Sequence, residues 1–310
     1  MNFPKVFVII VSYNAKNWIY ECIMSVIDST YKNCEIVVVD NKSKDSTIQI
    51  ITEKFQNVLT IIQDRNQGFG RGANVGIKYA MSKKAEYILL LNQDLWIKSD
   101  CIEKMINVCE DNINIGIATP LQMDYDGSNV DENFAKLYKF KSVIDLFNKI
   151  QSNESFEVDT VIGAAMLFRS DVFNTIGVFD PIYFLYHEEG DLCRRAKFHG
   201  FQIHVIHNAV VYHRHIQLFP KEMTFRAKFS SAYGYYIYIL KNPFSPVSIN
   251  FTVMFKSMIE WLLQGPNFVK ICTRFAVILV SIVIVFYRIP LILNTRANEM
   301  ISKMSYDKNI

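Results

Sequence analysis

Four short, largely apolar runs divide the first hundred residues of this chain at regular intervals. They are Val6–Val11, Glu35–Val39, Leu59–Gln63 and Tyr87–Leu91, and segments with helical spacing of apolar residues separate them. Runs of this length and composition are typical of strands that are buried on both faces. Strands that alternate with helices indicate right-handed crossovers and a parallel sheet. We therefore predict an α/β fold with a mostly parallel sheet and helices on both faces.

Polar side chains follow three of these runs, at the point where each predicted strand ends. The clusters are Ser12-Tyr13-Asn14, Asp40-Asn41 and Asn92-Gln93-Asp94. The carboxyl ends of parallel strands lie at one edge of a sheet, and the ligands of α/β proteins collect there. Asp40 could accept hydrogen bonds from a ribose or a base, or it could cap a turn. The clusters are thus the first indication of a ligand site.

The segment Asn66–Gly76 is dense in glycine and leads into a predicted helix at Gly72–Met81. Glycine allows a backbone to approach a nucleotide closely, and the amides at the start of a helix favour anions. The segment follows the third predicted strand rather than the first, so it is not a dinucleotide-binding fingerprint. Taken alone, such a turn is a weak indication of function.

Two groups of acidic residues are candidates for chemistry. Asp94 follows a buried strand, where a carboxylate can hold Mg²⁺ or Mn²⁺ or can simply form a turn. Glu188, Glu189 and Asp191 lie within four residues and follow several aromatic residues. In a carboxylate pair one group can orient while the other takes a proton, although acidic residues also stabilise the start of a helix.

His213 ends a short apolar run and is one of four histidines between residues 204 and 215. Such a stretch could bind zinc, but the six cysteines form no close pair that would support a zinc site. We expect one imidazole to join the site that Asp94 builds. The cysteines lie in apolar or helical contexts, which indicates a reduced, cytoplasmic protein. The first apolar run is also too short for a signal peptide.

The C-terminal part of the chain differs from the rest in charge and hydropathy. Residues 220–310 carry 11 Lys and Arg against 4 Asp and Glu, whereas residues 1–219 carry 22 against 26. The run Phe275–Tyr287 is apolar but shorter than the roughly 20 residues of a spanning helix. It either packs on a neighbouring helix or lies in a membrane interface. We predict a catalytic domain at 1–219 and a helical, basic and apolar membrane-associating region at 220–310.

In their order along the chain, these motifs resemble those of the family 2 glycosyltransferases with the GT-A fold, especially a bacterial rhamnosyltransferase-like branch. The resemblance covers roughly residues 4–215 and rests on six segments: Val8–Asn14, Ile36–Ser43, Asn66–Gly76, Leu91–Asp94, Gly163–Leu167 and Glu188–Arg195. It implies a GT-A fold with a Rossmann-like sheet. It also implies an inverting hexosyltransferase that uses a nucleotide sugar together with Mg²⁺ or Mn²⁺.

The resemblance implies a role for individual residues as well. The donor nucleotide sugar would contact residues of the strand ends and of the glycine-rich turn, namely Ser12, Tyr13, Asn14, Asp40, Asn41, Gly68, Asn74 and Asn92. Asp94 and His213 would bind the metal. Glu189 would be the catalytic base and Glu188 its orienting partner.

The sequence departs from the family's pattern at two positions. Asn92 stands where the Asp-x-Asp motif has its first acid, and Glu189 stands where the Glu-Asp motif has its second. Glutamate can abstract the same proton with a side chain that is one methylene longer. The departures leave a non-catalytic, nucleotide-sugar-binding scaffold as the alternative function. A sugar nucleotidyltransferase is disfavoured, because Ser12-Tyr13-Asn14 replaces the glycine-rich basic loop that it would need.

The implied substrates and partners follow from the same resemblance and from the C-terminal region. We expect dTDP-rhamnose or a UDP-hexose as donor, and a lipid-linked or polysaccharide acceptor in cell-surface glycan biosynthesis. We expect the chain to associate peripherally with the cytoplasmic face of the inner membrane, to bind no nucleic acid, and to have its C-terminal region available for homo-oligomer contacts. The polar residues 124–157 are expected to form a variable loop over the site.

Overall fold

The computed structural model describes residues 3–139, 155–214, 225–264 and 268–307. Within these ranges the central element is a sheet of nine strands. The strands are β1 (Val6–Ser12), β2 (Cys34–Asp40), β3 (Leu59–Ile62), β4 (Tyr87–Asn92), β5 (Leu95–Ile97), β6 (Ile115–Asp124), β7 (Ser155–Glu157), β8 (Ala165–Arg169) and β9 (Gln202–His213). The helices are α1 (Ile19–Ile27), α2 (Thr47–Lys54), α3 (Phe69–Ser82), α4 (Cys101–Asp111), α5 (Glu132–Tyr138), α6 (Ser170–Ile176), α7 (Glu188–Phe198), α8 (Phe225–Leu240), α9 (Val247–Leu262) and α10 (Phe268–Asp307).

The order and register of the strands bring the predicted polar clusters together. The sheet has the order β3-β2-β1-β4-β8-β6-β9-β5, and β7 pairs with β9. The first four strands pair in parallel, whereas β8 runs antiparallel between β4 and β6. Ser12 lies beside Asp40, and Val11 lies beside Asn92. The carboxyl ends of β1, β2 and β4 therefore form one edge.

Helices cover both faces of the sheet, as the sequence predicts. Apolar residues of α1, α2 and α4 pack on one face, and those of α3, α6 and α7 pack on the other. Helix α3 approaches β1 closely, because a Cβ on Gly76 would lie 2.5 Å from Cγ2 of Ile9. The predicted α/β fold with a mostly parallel sheet is confirmed.

Three helices follow the sheet and share an apolar core of their own. The last of them, α10, continues for 40 residues and contains Pro290. The apolar run Phe275–Tyr287 is therefore part of a longer helix, which continues through Arg288 and Pro290. In the described part of the chain, Lys270–Lys303 is the one helical segment with the length and composition to cross a membrane. A stretch of 18 residues within it has a mean hydropathy of 2.6, and 28% of that stretch is buried.

Some element boundaries also differ from those predicted. The predicted strand 87–91 extends to Asn92, and Asp94 lies in the turn between β4 and β5. The short apolar run that His213 ends is part of the longer strand β9, whose register against β6 shifts before Val210. The predicted domain boundary between residues 219 and 220 lies outside the described residues. The same is true of residues 140–154 in the predicted loop.

Candidate active site

Asp40 is held rigidly at the carboxyl end of β2. The residue is fully buried. The hydroxyl of Ser12 donates to its Oδ2 at 2.8 Å, and Ser43 donates its amide to Oδ1 at 2.7 Å and its hydroxyl to Oδ2 at 2.5 Å. Three donors from two strand ends fix the carboxylate, which suits recognition of a nucleoside. Ser43, which was not among the predicted site residues, completes this network.

The loops after β1, β2 and β4 are tied to one another. The amide of Tyr13 donates to Oε1 of Gln93 at 2.7 Å, and Oδ1 of Asn14 accepts the amide of Lys44 at 2.8 Å. Asn14 has a left-handed backbone with φ of 52°, which asparagine tolerates better than most residues. The three polar clusters thus form one connected surface, as their positions at the strand ends predicted.

The glycine-rich turn packs against the segment that precedes α7. Gly68 has φ of +87°, and a Cβ there would lie 2.0 Å from the carbonyl oxygen of Phe184. The side-chain amide of Asn41 donates to the carbonyl of Gly68 at 3.1 Å. Asn74 donates to the carbonyl of Phe179 at 2.8 Å and accepts its amide at 2.9 Å. These contacts give Gly68 and Asn74 a structural role, and their contact with the donor remains a prediction.

Asp94 and His213 face each other across the turn between β4 and β5. Oδ1 of Asp94 lies 3.7 Å from Nε2 of His213, and Nδ1 of the same ring lies 3.4 Å from Oδ2 of Asp131. Burial opposes charge on the imidazole, but hydrogen bonding and charge from Asp131 and Asp94 outweigh it and raise the pKa of His213 to about 9. Asp131 is buried and caps α5 through its other oxygen. In the sequence, Asp131 lies within the predicted loop 124–157. Its position beside His213 was not predicted, although acidic residues cluster in that part of the loop.

The Asp94–His213 pair fits a divalent cation that binds together with substrate phosphates. Mg²⁺ contacts its ligands at about 2.1 Å, keeps several waters and needs only one or two carboxylates besides phosphate oxygens. Donor atoms 3.7 Å apart can share one such ion. A carboxylate behind a ligating histidine, as Asp131 stands here, is the usual way in which such a ring is oriented. Among the described residues, no group of three or more His, Cys, Asp or Glu converges as a self-sufficient metal site.

The carboxylate pair Glu188–Glu189 begins α7. Glu188 is 4% exposed, and Glu189 is partly buried with its side chain 3.7 Å from the Cβ position of Gly163. Burial and the neighbouring charge of Glu189 raise the pKa of Glu188 to about 8, and burial raises the pKa of Glu189 as well. Carboxyl groups whose pKa moves toward neutrality are suited to proton transfer at cellular pH.

The backbone just before this pair is strained. Tyr186 and His187 both have positive φ, at 71° and 68°, which is uncommon for non-glycine residues. Strain of this kind persists only where surrounding contacts impose it, and it clusters at functional sites. Burial, and then the charges of Glu188 and Glu189, raise the pKa of the Tyr186 hydroxyl, which is consistent with a position near the pair.

An ion cluster beneath the pair joins α7 to α8. Asp191 is 1% exposed and accepts from Nε of Arg195 at 2.9 Å and from Nζ of Lys241 at 2.8 Å. Lys241 also lies 2.7 Å from Asp180. Although burial opposes it, the cations hold the pKa of Asp191 well below its usual range. The sequence groups Asp191 with the glutamate pair, but nothing in it points to Lys241, which is 50 positions away.

Contacts link the carboxylate pair to the predicted metal residues. A Cβ on Gly163 would lie 3.7 Å from the side chain of Glu189, and the next residue, Ala164, accepts the amide of Asn92 at 2.8 Å. Asn92 is two residues from Asp94. The carboxylate pair therefore lies near the end of β4 that leads into Asp94.

The chain is similar to known proteins both in sequence and in fold. A family model described as glycosyl transferase family 2 matches residues 7–177. The chain is 25% identical over 215 residues to the dTDP-rhamnosyl transferase RfbF of Shigella flexneri, an alignment that covers 67% of this chain and 69% of that protein.

Two solved structures show the same fold with low sequence identity. S. aureus TarS 1-349 in complex with UDP-GlcNAc has a TM-score of 0.61 and 16% identity, covering 98% of this chain and 92% of that one. GalNAc-T7 with UDP, GalNAc and Mn²⁺ has a TM-score of 0.62 and 14% identity, covering 89% and 55%. At such identities these similarities establish the fold and not the substrate.

Proposed function

This chain belongs to glycosyl transferase family 2, and we propose that it moves a hexosyl group from a nucleotide-diphosphate sugar to a glycan acceptor. The family match extends over more than half of the chain. The observation that supports the proposal is that the fixed Asp40, the Asp94–His213 pair and the carboxylate pair all stand near the ends of β1, β2 and β4. A nucleotide, a diphosphate and an acceptor hydroxyl need these three kinds of group.

The reaction requires a base on the acceptor side. Glu189 is the better candidate, since it is partly exposed whereas Glu188 is 4% exposed. Glu189 takes the proton of the acceptor hydroxyl as its oxygen bonds to the anomeric carbon. The bond from that carbon to the diphosphate breaks at the same time, and the nucleoside diphosphate leaves with the electron pair. Attack from the face opposite the leaving group inverts the anomeric configuration.

The other site residues bind and orient the donor. Ser12, Asp40 and Asn41 hold the nucleoside at the strand ends, and Asn92 replaces the first acid of the metal motif. Asp94 and His213 would hold a divalent cation, which when bound would neutralise charge on the diphosphate. With Asn92 at the first position, Asp94 would be the one carboxylate of the motif available to that ion.

The donor we propose is dTDP-rhamnose or a UDP-hexose. Support for the first comes from the similarity to a dTDP-rhamnosyl transferase, and support for the second from the fold shared with a protein solved with UDP-GlcNAc. The acceptor we propose is a lipid-linked or polysaccharide glycan of the cell surface. A hexosyltransferase of low-salt glycan biosynthesis, Agl10 of Haloferax volcanii, is 28% identical over 193 residues, or 61% of each chain.

Thermal-shift measurements on a panel of nucleotide sugars test the donor. We expect dTDP-rhamnose or one of the UDP-hexoses to raise the melting temperature with Mn²⁺, and EDTA or Asp94→Asn to remove most of that rise. The change of Asp111→Asn, in the last turn of α4, serves as the control. A panel in which no nucleotide sugar stabilises the chain would contradict the proposal, and a rise that survives both EDTA and Asp94→Asn would remove the metal from it.

We propose that the chain is cytoplasmic and associates peripherally with the membrane through α9 and α10. One side of α10 packs on the protein, since Val277, Val285 and Ile292 are fully buried. Arg296 donates to the carbonyls of Asn242 and Ser245. A helix fastened to α8 in this way favours lying along an interface over crossing the bilayer.

A further inference from the structure

A cavity of about 620 Å³ lies between α8, α9 and α10 and reaches His187. His187 immediately precedes the carboxylate pair, and its ring centroid lies 5.4 Å from that of Tyr235 on α8. The described residues that line the cavity include none of those assigned above to the donor. The cavity is thus distinct from the donor residues. Its lining residue His187 is the neighbour of the carboxylate pair in the chain.

The cavity walls combine cations with aromatic rings. Lys228, Lys270 and Arg274 line it together with one carboxylate, Glu260. The side chain of Glu260 is 65% exposed and lies 3.9 Å from Lys256, which is not among the lining residues. The lining therefore carries net positive charge, which suits a phosphate group.

The aromatic component of the walls suits a sugar or a prenyl chain. Tyr235, Tyr236 and Trp261 line the cavity, and such rings offer a large apolar face beside a polar edge. Hydroxyl groups of Ser231 and Ser257 also line it and supply hydrogen-bonding groups.

Exposed apolar side chains adjoin residues that line the cavity. Leu263, the residue after α9, is 72% exposed and adjoins Gln264, which lines the cavity, and Phe275 on α10 is 57% exposed and adjoins Arg274. Ile259, beside Glu260, is 59% exposed. An apolar chain lying along these residues could therefore continue into a charged group inside the cavity.

We infer that the cavity binds the phosphate-bearing part of a prenyl-phosphate-linked acceptor, an inference that rests on the proposed function. The cations hold the phosphate, the exposed faces of α9 and α10 contact the prenyl chain, and the sugar extends past His187 toward Glu189. Along its surface the protein presents apolar side chains, then cations, then the carboxylate pair. These match, in the same order, the prenyl chain, the phosphate and the sugar hydroxyl of such an acceptor. It identifies the class of acceptor that the site accommodates and leaves polysaccharides without phosphate as poorer substrates.

Binding of farnesyl diphosphate tests this inference without a known acceptor sugar. The full chain is titrated in EDTA, so that no cation on Asp94 and His213 can recruit the diphosphate, and tryptophan fluorescence reports on Trp261. Trp261→Phe identifies the part of the signal that comes from the cavity. We expect farnesyl diphosphate to bind at least tenfold more tightly than farnesol or inorganic pyrophosphate alone. We expect the double change Lys228→Gln and Lys270→Gln to raise its Kd at least tenfold, and Lys256→Gln on α9 to leave the Kd unchanged.

The outcomes separate this inference from the proposed function. Equal Kd values for the double variant and the wild type, or farnesol binding as tightly as farnesyl diphosphate, would overturn it. So would dioctanoyl phosphatidylglycerol competing as well as farnesyl diphosphate, since the cavity would then be a headgroup site. Donor thermal shifts are measured on the same preparations. Donor binding with no cavity binding overturns the inference alone, whereas cavity binding with no response to any nucleotide sugar overturns the proposed function.

Discussion

The sheet edge and the C-terminal helices are organised by different forces. At the edge, polar side chains are fixed by hydrogen bonds between neighbouring strand ends, such as those from Ser12 and Ser43 to Asp40. The C-terminal helices instead leave large apolar side chains exposed, among them Ile259, Leu263, Phe275, Leu279, Val283 and Phe286. A cross-linked polar edge suits a small charged ligand, whereas a contiguous apolar face suits contact with another apolar phase.

One residue connects the two regions energetically. Lys241 follows α8, is buried, and lies within 2.8 Å of Asp191 on the helix that begins with the carboxylate pair. Removing a partner from a buried ion cluster costs more than removing an exposed charge. We therefore expect different outcomes for substitutions at the sheet edge, at Lys241, which we call the link between the two regions, and on the outer face of the C-terminal helices.

The largest effect is expected from Glu189→Gln at the sheet edge. A positioned general base contributes about 10²- to 10⁴-fold to rate, so transfer should fall by that factor. Donor binding should persist, because the role proposed for Glu189 is on the acceptor side. Steady-state kinetics and donor thermal shifts measure the two quantities, with Glu53→Gln on the exposed side of α2 as control. Turnover near that of the wild type would show that another group is the base.

A smaller but substantial loss is expected when the link is broken. Lys241→Met leaves Asp180 and Asp191 without one cation, and we expect it to lower the free energy of unfolding by about 3 kcal/mol. The matched change Lys256→Met removes a lysine whose side chain is 76% exposed, and it should alter stability by less than about 0.5 kcal/mol. Urea denaturation compares them. Equal stability of the two variants would mean that the two regions are not coupled through Lys241.

Two glycines with similar backbone angles allow the energetic cost of a steric clash to be distinguished from that of backbone strain. Gly68 and Gly200 have similar φ of +87° and +91°, but only Gly68 would place a Cβ against another residue, the carbonyl of Phe184. We expect Gly200→Ala to cost about 1 kcal/mol and Gly68→Ala about 1 to 2 kcal/mol more. Thermal denaturation checks this. Equal losses of stability in the two variants would show that Phe184 moves to accommodate the added Cβ at no cost in free energy.

The smallest change in stability is expected on the outer face of α10. Val283 is 61% exposed, so Val283→Ser should change the free energy of unfolding by less than about 0.5 kcal/mol. It should nevertheless weaken co-sedimentation with vesicles of anionic phospholipid. Val285, two residues further along the same helix, is fully buried, and Val285→Ser should destabilise the chain. Vesicle binding that is indifferent to Val283→Ser would contradict the proposed membrane contact at this position.

The parts of the site that sequence predicted best are those with local causes. Apolar runs of strand length followed by Ser12, Asp40 and Asn92 placed these residues at one edge, because parallel strands must end together. Asp94 and His213 were paired by resemblance, and the structure brings them within 3.7 Å. In the sequence Phe275–Tyr287 stands out only as a short apolar run, and the structure shows that it lies within a helix of 40 residues that continues through Pro290.

The amino-acid sequence by itself determined the α/β fold, the family and the candidate catalytic residues. These features depend on the periodicity of apolar residues and on short motifs, whose residues lie close together in the chain. Only the tertiary structure decided that Asp131 stands behind His213 and that Lys241 reaches Asp191. It alone showed that a cationic cavity adjoins His187. Such contacts join residues far apart in the chain, and their energies depend on burial, which no single stretch of sequence specifies.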